Sequence, residues 1–273
     1  MARDVFRYIN ELDEPTLRSL GDRLEFRGGD ATFVGMREAY FDLLALPKRA
    51  RVAVLGCGTG VEARALARRL GPDGRVVAVD ISPSLVERAR VLAAQEGLAD
   101  RIELRVADAQ ALDLPDAAFD GAIAHTLLSH VAEPSAVLRE MARIVRPGGG
   151  VGAFDGDYAS LTWGHPDPEL GRAMDEALIA TIVNNPRVMR EMPRLLKEAG
   201  LELRAAPGWV YAEVGAGRFW SGFIDSYGPL VRRSGLLAPE MVDAWTADQR
   251  RASEERTFFG ACVYYAYVAA RPA

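Results

Sequence analysis

The chain has very few cysteines and lysines. Its two cysteines, Cys57 and Cys262, are too few for a disulfide framework. Of the 33 cationic residues only Lys48 and Lys197 are lysine, a bias that is typical of a GC-rich genome and indicates no particular function. The fold must therefore be stabilised by a buried core, and 273 residues suffice for one large α/β core with additions or for two small domains.

Excess positive charge and long apolar runs are also missing. The net charge is -5, so the sequence predicts no basic surface for a nucleic acid or an anionic membrane. No apolar run approaches the ~20 residues of a transmembrane helix. The first residues, MARDVFRYINELDEP, are partly acidic and lack the apolar core of a signal peptide. We therefore expect a cytoplasmic protein whose partner is a small molecule, with no nucleic acid and no membrane as partner.

The stretch Arg51–Gly60 has the pattern of a ligand-binding turn. Within it Val52, Val54 and Leu55 form a short apolar run without polar alternation, as in a strand that is buried on both faces. The sequence then breaks into Gly56–Gly60, and residues 61–70 have the composition of a helix. A strand, a glycine turn and a helix direct free backbone N–H groups and the positive end of the helix dipole at a ligand.

Two cofactor classes use such a turn, and the spacing of the glycines separates them. A dinucleotide site has the pattern G-x-G-x-x-G, but this chain has G-x-G-x-G, with Val61 in place of the third glycine. Asp80, 24 residues after Gly56, suits ribose hydroxyls in both classes. Asp108 discriminates between them, because a carboxylate after the third strand can accept a hydrogen bond from the exocyclic amine of adenine.

Strands and helices alternate from residue 51 to about residue 157. After the first strand, the pattern predicts strands at 76–79, 102–107, 119–124 and 151–154, with helices at 83–97 and 134–145. This alternation implies right-handed crossovers and a mostly parallel sheet, which binds ligands at the carboxyl ends of its strands. Asp80, Asp108, His125 and Asp155 all fall at such ends.

The flanking segments differ from this alternating part. Residues 1–50 predict two helices with a break at 27–30, and these helices either cover the mouth of the sheet as a lid or simply pack against it. We name these residues the N-terminal arm. Arg37 of the arm is a candidate for binding a cofactor carboxylate.

We predict that the second half of the chain forms a cap over the carboxyl edge of the sheet. Expected elements are helices at 168–183 and 189–199, a β-like segment at 201–214, a helical insertion at 215–255 and a last strand at 257–270, with no strand between 158 and 185. We interpret residues 1–273 as one domain, with the arm as a lid, 51–157 as the cofactor-binding half, and 158–273 as the substrate cap and last strands. The insertion could instead form the interface of a homodimer.

Four ordered motifs carry a family resemblance: VLGCGTG (54–60), VVAVDIS (76–82), VADAQALDLPDAAFD (106–120) and HVAEPSAVLREMARIVRPGGG (130–150). With them the chain resembles class I S-adenosylmethionine-dependent methyltransferases, particularly the branch of ubiquinone- and menaquinone-biosynthesis enzymes. The resemblance covers about residues 50–157. It implies an α/β fold with a Rossmann-like, mostly parallel sheet of seven strands, the last antiparallel, and helices on both faces.

The resemblance also implies a cofactor site. The glycine turn would surround the methionine moiety, Asp80 would bind the ribose, Asp108 would lie at the adenine, and His125 would face the sulfonium. The residues expected around S-adenosylmethionine are Gly56, Cys57, Gly58, Thr59, Gly60, Asp80, Ile81, Ser82, Asp108, Ala109 and His125.

Candidates for chemistry follow from position. His125, at a strand end and with an ordinary pKa of ~6.5, is our first choice as general base, although it could instead only shape the pocket. The substrate candidates, which could also belong to the core or to solvent, are Asp155, Tyr158, Trp163, Trp220 and Tyr227. Asp155 and Asp157 lack a third ligand, so we expect no metal.

The expected reaction is methyl transfer to a small, fairly apolar metabolite. Oxygen is favoured over carbon or nitrogen, because His125 could deprotonate a hydroxyl. Three alternatives stay open: a nicotinamide dehydrogenase, a catalyst such as a cyclase that retains the cofactor without using its methyl group, and a non-enzymatic protein that binds S-adenosylmethionine.

Overall fold

One eight-stranded sheet runs through the centre of the computed structural model, which describes residues 4, 6 and 8–273. The strands are β1 (Arg51–Leu55), β2 (Arg75–Asp80), β3 (Ile102–Val106), β4 (Phe119–His125), β5 (Val145–Trp163), β6 (Glu202–Ala205), β7 (Gly208–Gly215) and β8 (Phe258–Ala270). Their order is β3-β2-β1-β4-β5-β8-β6, and β7 also pairs with β8. Strands β1 to β5 are parallel, and β8 runs antiparallel to its neighbours. The predicted Rossmann-like α/β fold is confirmed.

The sheet has one strand more than the sequence predicts. The β-like segment 201–214 forms two strands, β6 and β7, instead of one. Pro207 lies between them, and a proline cannot donate a backbone hydrogen bond to the ladder. Both short strands pair with β8, so the extra strand leaves the topology unchanged.

Strand β5 is much longer than predicted. The sequence predicts a strand at 151–154 and none between 158 and 185, whereas β5 runs from Val145 to Trp163. It pairs with β8 from Gly150↔Ala270 to Trp163↔Gly260, with a register shift after Asp157. This pairing is a tertiary contact between segments about 100 residues apart, and such contacts override weak local propensity. The absence of a strand after residue 158 was therefore a wrong prediction.

Helices flank the sheet on both faces. In the described residues they are α1 (Glu14–Gly29), α2 (Ala31–Leu44), α3 (Val61–Leu70), α4 (Pro83–Gln95), α5 (Pro134–Ile144), α6 (Pro168–Ile182), α7 (Val188–Glu198), α8 (Phe219–Ser234) and α9 (Pro239–Glu254), with 3-10 turns at Ile9–Glu11 and Ala99–Arg101. Two buried apolar clusters form the core, the first with residues of α2, α3, α6 and α8 and the second with residues of α5 and α7. No helix in this described part is both long and apolar enough to cross a membrane.

The N-terminal arm places α1 over the carboxyl edge of the sheet and packs α2 against β5 and β8. Its two helices meet at Asp30, whose carboxylate accepts hydrogen bonds from the N–H groups of Thr32 and Phe33 and so caps α2. Helix α1 packs directly on α3. The two helices are so close that a Cβ at Gly28 would lie only 2.4 Å from Cγ1 of Val61. This close approach brings α1 over the glycine turn.

Candidate functional site

A cavity of about 320 Å³ lies between the carboxyl edge of the sheet, the arm and the cap. One part of its wall consists of the glycine turn, Asp80 and Asp108, and another part consists of aromatic side chains, among them Phe219, Phe223 and Tyr227. The strand ends that the sequence predicts as a binding edge therefore open into one cavity with polar and apolar portions.

The glycine turn has a backbone that side chains disfavour. Gly56, Gly58 and Gly60 have φ angles of 66°, 52° and 83°, in the left-handed region. A Cβ at Gly56 would also lie 2.6 Å from the side chain of Leu127. These positions favour glycine, and the turn from Gly56 to Thr59 lines the cavity.

Asp80 fixes this turn from the end of β2. Its Oδ2 accepts from the N–H of Gly58 at 2.8 Å, and its Oδ1 accepts from the N–H of Ser82 at 2.9 Å. Burial raises the pKa of Asp80, and the hydrogen bonds from Ser82 and Gly58 oppose that increase. The side chain lines the cavity, and a carboxylate oxygen that already accepts one N–H keeps a lone pair for a ligand hydroxyl.

His125 is held by protein groups at both ring nitrogens. Nδ1 lies 3.0 Å from the hydroxyl of Tyr40, and Nε2 lies 3.5 Å from Oε1 of Glu62. The ring stacks on Phe154 with 4.4 Å between the centroids. Burial, with the charges of Arg27 and Arg37, holds the pKa of His125 well below its usual value. The residue lines the cavity, with its ring packed on Phe154 and its Nδ1 hydrogen-bonded to Tyr40.

His130 has a different environment. Its Nδ1 lies 2.9 Å from Oδ2 of Asp4 in the arm, and its ring contacts that of Phe6 at 4.6 Å. Burial alone would lower the pKa of His130, but the carboxylates of Asp4 and Asp155 raise it above the ordinary value. Among the described residues no protein group hydrogen-bonds Nε2, and His130 lines the cavity. The local sequence does not reveal this pairing, because Asp4 lies 126 residues away in the chain.

Arg27 connects the arm to the loop after β4. Its Nη2 donates to Oγ1 of Thr126 at 2.7 Å, and this hydroxyl donates to the carbonyl of His125 at 2.8 Å. Thr126 has a φ of 51°, which is rare for a β-branched residue. Arg27 lines the cavity, whereas Arg37, the candidate from the sequence, donates to the carbonyl of Gly28 at 3.3 Å.

Most of the predicted site residues line the cavity. Those that do are Gly56, Cys57, Gly58, Thr59, Asp80, Ile81, Asp108, Ala109, His125, Tyr158 and Tyr227. Gly60 and Ser82 lie beside it and begin α3 and α4. Lining residues that the sequence did not indicate include Arg23, Arg27, Glu62, His130 and Tyr264.

Three predicted substrate residues do not reach the cavity. Trp163 and Trp220 lie in the core of the cap, with their rings edge to face at 5.9 Å, and Trp163 packs in the same way on Trp245 at 5.6 Å. The Asp155 carboxylate is buried and accepts hydrogen bonds from the N–H and hydroxyl of Ser129. Aromatic composition identified the cap but could not separate its core from its lining.

Metal ligands do not cluster in this region. Across residues 4, 6 and 8–273, no three His, Cys, Asp or Glu side chains come together in a group that could hold a metal ion. The Asp157 carboxylate instead accepts from Nε of Arg190, at 3.0 and 2.9 Å to its two oxygens.

A family model described as a methyltransferase domain matches residues 52–149. This match covers about a third of the chain. It contains the glycine turn, Asp80, Asp108 and both cavity histidines. The resemblance to class I methyltransferases is thereby confirmed. The cofactor that this resemblance implies is S-adenosylmethionine.

Sequence matches to some curated relatives are longer than the match to the family model, but they cover only part of each protein. The chain is 33% identical over 178 residues to a 27-O-demethylrifamycin SV methyltransferase of Amycolatopsis mediterranei, covering 61% of this chain and 63% of that protein. It is 38% identical over 100 residues to a ubiquinone/menaquinone biosynthesis C-methyltransferase of Hahella chejuensis, covering 37% and 40%. The chain spans about half the length of the curated relatives that it matches.

Solved structures match over a larger part of the chain. A putative methyltransferase from Bacillus halodurans superposes with a TM-score of 0.61 at 16% identity, covering 87% of this chain and 99% of that one. The [4+2]-cyclase SpnF superposes with a TM-score of 0.57 at 21% identity, covering 88% and 82%. At these identities the comparison establishes a shared fold.

Proposed function

We propose that this protein transfers a methyl group from S-adenosylmethionine to a hydroxyl oxygen of a small, fairly apolar metabolite. The observation that carries the proposal is the cavity, which joins the glycine turn and Asp80 to an aromatic wall and to His130. A polar portion suits the cofactor and an apolar portion suits an acceptor, and both open into the same space.

The residues present fit the cofactor. The residues of the turn from Gly56 to Thr59 line the cavity, and the positive φ angles at Gly56 and Gly58 give this backbone its shape. In this proposal Asp80 accepts from the ribose hydroxyls and Asp108 lies at the adenine. Arg27 pairs with the methionine carboxylate, because it lies beside Gly28 on the helix that covers the glycine turn.

The bound cofactor supplies a methyl group that is already activated by the positive sulfur. The chain therefore has to orient the acceptor, exclude water and remove one proton. The arm, through α1, and helix α8 cover the cavity and so exclude water. Nε2 of His130 takes the hydroxyl proton, while the Asp4 carboxylate stabilises the resulting imidazolium through Nδ1.

His130 suits this role better than His125, which the sequence suggests first. A general base needs a free nitrogen and a pKa near neutrality. His125 has both nitrogens directed at Tyr40 and Glu62 and a pKa well below its usual value. His130 has an unoccupied Nε2 and a raised pKa. The catalytic role of His125 stays a prediction, and its surroundings favour a supporting one.

Two other functions compete with methyl transfer. A cyclase would retain the cofactor and form product without S-adenosylhomocysteine, and a sensor would bind the cofactor without any product. The pairing of His130 with Asp4 in the cavity wall favours catalysis over sensing. The name of the rifamycin relative supports an oxygen acceptor, whereas the names of the quinone relatives include carbon.

The test combines binding and turnover. Calorimetric titration should give tight binding of S-adenosylhomocysteine and none of NAD, and Asp80→Asn should weaken this binding while Asp73→Asn, an exposed control, should not. Incubation with S-adenosylmethionine and hydroxylated acceptors should give products heavier by one methyl group and equal amounts of S-adenosylhomocysteine. Product without S-adenosylhomocysteine would instead establish the cyclase, and binding without product from any acceptor would establish the sensor.

A further inference from the structure

Arg23 is a buried cation in the wall of the cavity. The residue is 8% exposed, and its Cζ lies 4.1 Å from the centroid of the Phe219 ring. Its Nη2 donates to the backbone carbonyl of Phe219 at 3.2 Å. Within the part of the chain that the structure describes, no Asp or Glu forms an ion pair with Arg23.

Another buried arginine shows what a paired cation looks like in this protein. Arg64 is 5% exposed and contacts two carboxylates, Glu25 at 2.6 Å and Glu96 at 3.0 Å. Buried charges are usually paired in this way, because leaving water is costly. Arg23 has instead a second cation nearby, Arg27, and burial and this neighbour both lower the pKa of Arg23. Arg23 has aromatic rings and a backbone carbonyl as neighbours but no carboxylate, so its charge is available to an anionic ligand.

The position of Arg23 indicates which ligand supplies that anion. Arg27 points to Thr126, next to the glycine turn, whereas Arg23 points to the cap. A Cβ at Gly222 of α8 would lie 3.3 Å from Nη1 of Arg23. The neighbouring wall is aromatic, with Phe223 5.5 Å from Cζ of Arg23. Arg23 thus belongs to the apolar portion of the cavity and not to the portion that suits the cofactor.

We propose that Arg23 binds a carboxylate of the acceptor, so that the substrates are hydroxy acids with an apolar body. This inference rests on the proposed function, whose acceptor it defines. Nη2 is used by Phe219, and the remaining N–H groups of the guanidinium can bind both oxygens of one carboxylate. Phe219 and Phe223 then pack against the apolar body of the same molecule.

The experiment uses matched acids and esters as probes. 4-Hydroxybenzoate, 4-hydroxycinnamate and 3-hydroxydecanoate are each titrated beside their methyl esters into the full-length protein saturated with S-adenosylhomocysteine. We expect at least one acid to bind about ten- to hundredfold more tightly than its ester. Arg23→Met should abolish this ratio, and Arg23→Lys should retain part of it. Arg18→Met, on the exposed face of the same helix, should leave it unchanged.

The ratio of acid to ester affinity distinguishes a binding role of Arg23 from a structural one. If Arg23 only stabilises the fold through Phe219, Arg23→Met lowers thermal stability and the acid-to-ester ratio stays the same, which overturns the inference. No preference for any of the three acids, or loss of S-adenosylhomocysteine affinity in Arg23→Met, overturns it as well. Methyl transfer to the esters alone would leave the proposed function standing without this inference. Arg23-dependent binding of an acid without methyl transfer would support the inference on Arg23 and contradict the proposed function.

Discussion

The carboxylate of Asp4 lies 2.9 Å from Nδ1 of His130, although 126 residues separate them in the sequence. The contact joins the N-terminal arm to the loop after β4, and among the described residues it leaves Nε2 of His130 without a hydrogen-bond partner. A histidine that is oriented by a carboxylate is a common arrangement for proton transfer. The arm therefore does more than cover the site, because it contributes one member of this pair.

Replacing His130 should separate chemistry from binding. We expect His130→Gln to lower kcat about 10²- to 10⁴-fold with little change in S-adenosylhomocysteine affinity, because the variant cannot accept the proton. His125→Gln should mainly lower stability, by about 1–3 kcal/mol, because the buried Tyr40 hydroxyl loses its partner. Steady-state kinetics and urea unfolding of both variants check this. The assignment fails if His130→Gln keeps the full kcat.

The pH profile should report the pair of Asp4 and His130. The neutral form of His130 is the base, so activity should fall as the pH drops through its pKa. Since that pKa is raised, the acid limb of kcat/KM should lie above the ordinary value of ~6.5. Asp4→Asn removes the negative charge that raises it, so the limb should move to lower pH, with a lower maximum. A limb that stays in place in Asp4→Asn would contradict the pairing.

Arg27 should affect the cofactor and not the acceptor. Arg27→Met removes the charge next to the glycine turn, and we expect the Kd of S-adenosylhomocysteine to rise about ten- to hundredfold, as for a lost hydrogen bond to a charged group. Arg18→Met, with an exposed side chain on α1, is the control. Calorimetry of the two variants gives the answer, and equal affinities would exclude Arg27 as the carboxylate ligand.

Trp220 should matter for folding and not for substrate. Its side chain is fully buried and packs against Trp163, Phe219 and Phe223. Trp220→Ala should lower the free energy of unfolding by about 3–5 kcal/mol, because it leaves a large cavity. The KM for the acceptor should change little at temperatures where the variant is folded. An increase in KM without a loss of stability would instead indicate that Trp220 contacts the substrate.

Local patterns were sufficient for the cofactor half of the molecule. The glycine turn, Asp80 and Asp108 follow from spacing within strands and turns, and the structure brings all of them to the cavity. The rest depends on contacts across the chain. His130 needs Asp4, the length of β5 needs β8, and no periodicity reveals either pairing. Trp163 and Trp220 were chosen by residue type, which cannot distinguish a core from a lining.

The long pairing of β5 with β8 has a consequence for ligand exchange. Its ladder continues past Asp157 to Thr162↔Ala261 and Trp163↔Gly260, so backbone hydrogen bonds tie the cap to the sheet. The start of the chain is attached by side-chain contacts such as that of Asn10 Nδ2 with the carbonyl of Ile81 at 3.0 Å. Side-chain contacts break more easily than a ladder of backbone bonds. We therefore expect substrate to enter and product to leave where Asp4 and Asn10 detach, with the cap remaining in place throughout turnover.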